Sequence, residues 1–169
     1  MMSEKFRRHF LKAKEAKTLL DKASQKLKVD LEQILRAKAN VELVETDFAK
    51  IFLINGKPVL VKAGEEVFPT LVFNEFFALA PKVVIDMGAV PHVCSGANVM
   101  APGIVRFEGE FKSGDFVLVV DEKHGKPIAI GEIIYDVDAA QMVSQGVVVK
   151  NIHFVSDKIW DYIKKLAEH

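Results

Sequence analysis

Val83-Val84-Ile85-Asp86-Met87-Gly88-Ala89-Val90-Pro91-His92-Val93-Cys94-Ser95-Gly96-Ala97-Asn98-Val99-Met100-Ala101-Pro102-Gly103-Ile104-Val105 sets three kinds of structure side by side in one short run. Val83 to Ile85 is the apolar signature of a buried strand, and Gly88 and Pro91 mark a change of direction. A short helix of roughly two turns follows. Pro91 suits its first turn, where no N–H is needed, and Gly96 sits where a left-handed C-terminal cap is wanted. Beyond it, small residues allow another molecule's backbone to approach closely.

Working toward the C-terminus, Phe116 to Asp121 and Ile128 to Tyr135 read as strands flanking the polar loop Glu122-Lys123-His124-Gly125-Lys126, a hairpin. Asp138-Ala139-Ala140-Gln141 has the form of a capping box before a short helix that ends near Gly146. Val147 to Val155 is a further strand. A final helix carries Ile159, Trp160, Ile163 and Leu166 on one stripe behind a Ser156 or Asp157 cap.

Toward the N-terminus, Thr70 is placed to cap an apolar helix containing Leu71, Val72, Phe73, Phe76, Phe77 and Leu79, with Pro81 closing that half of the chain. Val41 to Glu45, Lys50 to Ile54 and Pro58 to Lys62 form a small meander, with Asn55-Gly56 as a type I′ turn. Asp30-Leu31-Glu32-Gln33 starts a short helix that buries Leu31, Ile34 and Leu35 and ends near Asn40. Phe6, Phe10, Ala13, Leu20, Ala23 and Leu27, widened by Leu11 and Leu19, predict one amphipathic helix from about Glu4 to Lys28.

Half of the 169 residues are apolar and the formal net charge is zero, so the chain can bury a real core. The charge is uneven: Lys5, Arg7, Arg8, Lys12, Lys14, Lys17, Lys22, Lys26 and Lys28 crowd the N-terminal segment against Glu4, Glu15 and Asp21. A neutral protein does not coat nucleic acid indiscriminately, so any RNA contact must be focused. Cys94 is the only cysteine, which excludes an internal disulfide and a multi-cysteine zinc site. No apolar run approaches the ~20 residues of a membrane span, and no signal-peptide core follows the charged start. The expectation is a soluble cytoplasmic protein without metal or cofactor.

Paired metal-ligand histidines, a glycine-rich phosphate loop and a nucleophile elbow are missing from the sequence, which points away from an enzyme. Asp86 is the residue a catalytic argument would reach for, but a carboxylate accepting backbone N–H bonds at the start of the short helix explains its position. The chemistry of single-stranded RNA recognition is present. Gly96, Ala97, Ala101 and Gly103 remove bulk, Ser95 and Asn98 can hydrogen-bond, and Met100 and Pro102 offer apolar faces. His92 can stack on or bond to RNA. The competing reading makes Gly96 only a helix cap and Pro102-Gly103 only a turn. Arg106, Lys123 and Lys150 are candidate phosphate partners, Lys12, Lys14 and Lys17 candidate ancillary ones, though all could equally be solvated. His153 is a candidate contact or a hydrogen-bonding residue of its sheet.

The segment Ser95-Gly96-Ala97-Asn98-Val99-Met100-Ala101-Pro102-Gly103-Ile104 resembles a PUA domain, named for pseudouridine synthases and archaeosine transglycosylases. Asn55-Gly56-Lys57, Phe68-Pro69-Thr70-Leu71 and Asn151-Ile152-His153-Phe154-Val155-Ser156-Asp157-Lys158-Ile159-Trp160 extend the likeness to the malignant T-cell-amplified-sequence and ligatin family. The resemblance implies an α+β protein: an N-terminal pre-PUA α/β domain (1–80), then a PUA β-pseudobarrel with short helices and a C-terminal helix (81–169). It also implies a translation factor that meets tRNA or small-subunit ribosomal RNA in initiation, reinitiation or recycling. An initiation-factor-one-like protein would be a separate partner, and the chain is expected to be a monomer. A Lys/Glu-rich surface with few Asn and Gln fits an archaeal source. PUA domains also occur in RNA modification and ribosome biogenesis, and a protein-interaction adaptor using the PUA fold as scaffold stays open.

Overall fold

The computed structural model describes residues 7–36 and 40–167. Contacts divide the chain into two compact units, one comprising Met1–Phe76 with Tyr162–His169, the other Phe77–Asp161.

The first unit is an antiparallel meander of five strands, β1 (Arg7–Phe10), β2 (Val41–Glu45), β3 (Lys50–Ile54), β4 (Lys57–Ala63) and β5 (Glu66–Pro69), paired in sequence order. Asn55 and Gly56 both take positive φ, +53° and +82°, as the two-residue hairpin turn requires. Helix α1 (Ala13–Leu27) buries Ala16, Leu20, Ala23 and Leu27, packs against β5 and keeps Lys14 and Lys17 in solvent. The single helix predicted from Glu4 is therefore two elements. Arg7–Phe10 leaves the helical stripe to pair with β2, where Arg8 Nε donates to Glu42 Oε2 at 2.6 Å, and Phe10 is 62 % exposed. Ala13 is exposed as well, and Glu4 to Phe6 lie outside the described residues.

Helix α2 (Leu31–Leu35) begins as expected, Asp30 accepting the N–H of Gln33 at 3.2 Å, but it ends at a left-handed Arg36. Its expected end near Asn40 falls beyond Arg36, and residues 37–39 lie outside the described residues. The apolar helix expected after Thr70 shrinks to one turn, α3 (Asn74–Phe77). Thr70 is buried and donates its hydroxyl to Pro58 O at 2.7 Å, tying the strand end to β4 rather than capping a long helix. Leu79 consequently sits in solvent, 57 % exposed.

The second unit is a six-stranded sheet with the order β7-β11-β10-β9-β6-β8: β6 (Lys82–Ile85), β7 (Val99–Met100), β8 (Ile104–Glu108), β9 (Phe116–Asp121), β10 (Pro127–Ile133) and β11 (Val147–Phe154). Only β6 and β9 are parallel. Strands β7 and β8 occupy opposite edges, yet the 3-10 turn Ala101–Gly103 is all that separates them. A flat sheet would hold its outer strands about 24 Å apart, whereas Met100 to Ile104 reaches about 14 Å fully extended. The sheet must curl until its edges meet, and the turn is the seam of a pseudobarrel. Val83, Ile85, Val93, Val99, Val117, Val119, Ile133 and Val149 fill its core.

Three short helices decorate this unit: α4 (Val90–Val93), α5 (Val137–Ala140) and α6 (Lys158–Ala167), whose residues from Tyr162 belong to the first unit. Helix α5 starts one residue before the predicted capping box. Asp136 precedes it but accepts the N–H of Ser113 at 2.8 Å instead of capping. No helix among the described residues is long and apolar enough to cross a membrane.

Candidate nucleic-acid interface

Strand β6 delivers Asp86 to the top of the barrel, where its Oδ1 accepts the N–H of Ala89 at 2.8 Å and starts α4. Pro91 lies in the first turn of α4, and the hydrogen-bonded turns continue until Gly96 reverses the chain at φ +98°. A side chain at Gly96 would be strained there and would touch the Phe154 ring at 3.4 Å. The seam is held from both sides: Asp86 N–H donates to Gly103 O at 2.9 Å, and Ala101 N–H to Gly146 O at 2.9 Å.

Between α4 and the seam opens a groove of about 430 Å³, within the size range of small-ligand sites. It brings together His92, Ala97, Asn98, Met100, Pro102 and Gly103 of the sequence-predicted set, with Asp86. Met100 is 46 % exposed. Ser95 lies outside the groove, its hydroxyl donating to Pro91 O at 2.9 Å. Ala101 and Arg106 line a second depression of about 340 Å³ across the seam, toward α5, where Arg106 Nε meets Glu108 Oε2 at 3.0 Å. Lys150 is exposed on β11 opposite Glu132. Lys12 precedes α1, and Lys14 and Lys17 are exposed on it, all in the other unit.

His153 is corrected from a surface contact to an interior residue: it is fully buried, with Nδ1 2.8 Å from Asp157 Oδ2. Asp157 also accepts the N–H of Phe154 at 2.9 Å and of Trp160 at 2.6 Å, which makes it the cap of α6. Burial pushes the Asp157 carboxyl up, but the hydrogen bond and electrostatic pull of His153, with the two backbone N–H groups, outweigh it and leave it below the usual carboxylate range. Cys94 is half-buried, and burial pushes its thiol up.

Two features escaped the sequence reading. Asn151, on β11, holds the far wall of the groove in place: its Nδ2 donates to Val93 O at 3.0 Å and Ala97 O at 2.9 Å, and its N–H to Asn98 Oδ1 at 2.9 Å. Its own Oδ1 is buried without a partner among the described residues. Ser156 adds a bond to Cys94 O at 3.2 Å. A lone asparagine in a strand shows no periodic signal; only its place at the start of the family-like stretch Asn151 to Trp160 could have flagged it.

The second feature is the β9–β10 turn. Because β6 and β9 run parallel with Ile85 beside Asp121, both chains leave the barrel at the same end, and Met87 N–H donates to Glu122 Oε1 at 3.3 Å. Buried Asp121 accepts the N–H groups of Lys123, His124 and Lys126. These, led by that of His124, hold its carboxyl below the usual range against the effect of burial. The turn is thus fixed, and it carries three exposed basic side chains, Lys123, His124 and Lys126, beside the Asp86 loop.

Comparison with known proteins agrees with this geometry. Residues 81–155 match the PUA domain, and residues 7–73 match a domain of unknown function (DUF1947). An uncharacterized protein of Methanocaldococcus jannaschii is 37 % identical over 161 residues, 92 % of this chain and 96 % of its own length. Translation machinery-associated protein 20 of Saccharomyces cerevisiae is 25 % identical over 86 % of this chain and 85 % of its own. Malignant T-cell-amplified sequence 1 of Danio rerio is 27 % identical over 77 % and 75 %. The crystal structure of a hypothetical protein from Pyrococcus horikoshii superposes with a TM-score of 0.76 at 34 % identity, covering 93 % of this chain and 99 % of that one. With the curled sheet, the seam and both matched regions in one chain, the protein belongs to the PUA-domain family that includes translation machinery-associated protein 20 and malignant T-cell-amplified sequence 1.

Proposed function

We propose that this chain is an RNA-binding, translation-associated factor whose groove between α4 and the seam holds an unpaired segment of tRNA or small-subunit ribosomal RNA. The observation that carries the reading is the convergence of His92, Ala97, Asn98, Met100, Pro102 and Gly103 on one groove of a PUA domain. Small residues and exposed apolar faces beside a few hydrogen-bonding groups are what a splayed-out base requires. The name of one relative, translation machinery-associated protein 20, which places that protein with the translation machinery, supports the cellular setting.

Phosphates are contacted from the rim, by Lys123 with its neighbours His124 and Lys126, and by Arg106 and Lys150. Lys12, Lys14 and Lys17 add contacts from the other unit. The N-terminal region, 1–80, docks to the ribosome or to an initiation-factor-one-like protein, and 81–169 reads the RNA. Crosslinking the protein in cell extract and sequencing the attached RNA tests this. Mature tRNA or small-subunit RNA is the expected yield; precursor RNA would move the role to ribosome biogenesis, and no RNA would leave a protein adaptor.

A further inference from the structure

The two edges of the five-stranded sheet are built differently, and only one is blunted. In an antiparallel ladder alternate residues bond the same neighbour, while those between them turn their N–H and C=O the other way. On β5 the Thr70 N–H bonds Val59 O at 2.9 Å, which sets the phase: Glu66 and Phe68 face β4, and Val67 and Pro69 face outward. Pro69 has no N–H to offer there, and α1 packs against this strand. On β1 the Leu11 N–H bonds Val41 O at 2.8 Å, so Arg7 and His9 face β2, and Arg8 and Phe10 turn their backbone groups outward. This edge has no proline and an unbroken register, and its outward groups have no partner among the described residues.

All four β1 residues are exposed, and none is acidic. Arg8 is paired with Glu42, but Arg7 has no ion pair among the described residues, and Lys12 and Lys14 continue the basic run in solvent. Phe10 adds an apolar face. A short charged strand is one way to keep an edge from pairing at random, and it works here against a second copy, which would bring arginine to arginine. It does not work against a strand of opposite charge. RNA suits the edge poorly, because phosphate oxygens only accept, and the outward carbonyls of Arg8 and Phe10 would meet them with like polarity. An acidic peptide in extended form supplies both donors and acceptors at the right spacing, with carboxylates beside them.

We infer that β1 is a docking edge to which an extended acidic segment of another protein adds as a sixth strand, exchanging backbone hydrogen bonds with Arg8 and Phe10 and setting carboxylates beside Arg7. The pairing rests on the reading of region 1–80 as a docking region and gives it a surface and a partner chemistry.

The test is amide hydrogen exchange of the full chain by NMR, with the capped peptide Thr-Val-Glu-Glu-Glu-Val-Thr as probe. In the free chain Arg8 and Phe10 should exchange rapidly, and His9 and Leu11, bonded to β2, slower by about tenfold or more. With about 1 mM peptide, Arg8 and Phe10 should slow by about tenfold, the protection that a Kd near ~100 µM gives by mass action. The same peptide with Lys for Glu should give none. Phe10→Ala keeps the outward N–H and should hold the protection of Arg8 to within about threefold, whereas Phe10→Pro removes that N–H, spares the bonds to β2 and should abolish it. Slow exchange of Arg8 and Phe10 in the free chain, no protection by the acidic peptide, or equal protection by the lysine peptide would overturn the docking edge. Protection that survives Phe10→Pro, or that oligo(U) gives in place of the peptide, would overturn it as well. Docking by region 1–80 falls separately, if protein crosslinks formed in extract avoid those residues.

Discussion

Asn98 Oδ1 accepts the backbone N–H of Asn151 at 2.9 Å across 53 residues of sequence, and the Asn151 amide closes the same contact by bonding Val93 O and Ala97 O. One strand residue thereby fixes three points of the groove wall. Replacing Asn151 by Ala removes two bonds and leaves two carbonyls to find water, so stability should fall by about 1–2 kcal/mol, tempered by the loss of the unpartnered Oδ1. Urea unfolding with an unchanged m-value reads this directly. RNA affinity should drop with it, and a variant that binds as well as the wild type would separate the groove from its support.

Gly96 holds φ +98° with Phe154 against it. Gly96→Ala should therefore cost about 1–2 kcal/mol, visible as a lower Tm with the fold retained. A Tm within a degree of the wild type would mean that the chain reverses there in some other way. Gly103 is constrained differently: an added Cβ would lie 3.0 Å from Ala89 Cβ, pressing the seam against the start of α4. Bulky residues at either glycine disturb the fold as well as RNA, so they are poor probes of binding alone.

At Gly131 the sheet tolerates no side chain, because β10 bulges between Ile130 and Gly131 and an added Cβ would run into Val149 Cγ1 and sit 2.9 Å from Lys150 O. Gly131→Ala should lose about 1–3 kcal/mol or more by overpacking. Guanidinium unfolding measures it, and a neutral result would contradict the register of β10 with β11.

The depressed carboxyl of Asp157 makes a pH prediction with a definite sign. A group whose folded value lies below its unfolded one stabilises the fold above the ordinary carboxylate range, near 4, and loses that contribution as pH falls through the folded value. The stability gap between wild type and Asp157→Asn should thus be constant from about pH 5 to 7 and narrow below about pH 4. A gap that widens in acid would refute the assigned network with His153, Phe154 and Trp160.

Much of the fold is legible in the residues themselves. Strands β2 and β3 have the bounds that alternation at Val41–Glu45 and the apolar run to Ile54 predict, and Asn55-Gly56 turns as its φ preferences demand. What misleads is apolar spacing that two periods can share. Phe10 falls on the stripe of α1 but belongs to an edge strand, because pairing with Glu42 and its neighbours on β2 competes with helix extension. The Asp138 capping box fails because the helix already begins at Val137, which puts Asp138 inside its first turn, while Asp136 before it bonds the Ser113 N–H. Strand β7 is two residues long and has no pattern to read. The groove was visible as a run of small residues from Gly96 to Gly103, but its support was not: burial of His153 and the bonds of Asn151 depend on β11 lying beside α4.

The β9–β10 turn yields a salt-dependence prediction. Among the described residues neither Lys123 nor Lys126 is paired with a carboxylate, and Asp121 holds the turn rigid beside the Asp86 loop. Lys123→Ala with Lys126→Ala should lower the slope of log K against log salt by about 1–2 and weaken all RNA sequences alike.

RNA is proposed to lie in the groove between α4 and the β7–β8 seam. Ultraviolet crosslinking of the full chain to RNA in extract, followed by mass spectrometry of the attached peptides, tests it most directly. Crosslinks should concentrate on residues 92–103, with His92 and Met100 prominent. Crosslinks confined to the lysines of α1, or to the far side of the barrel, would contradict it.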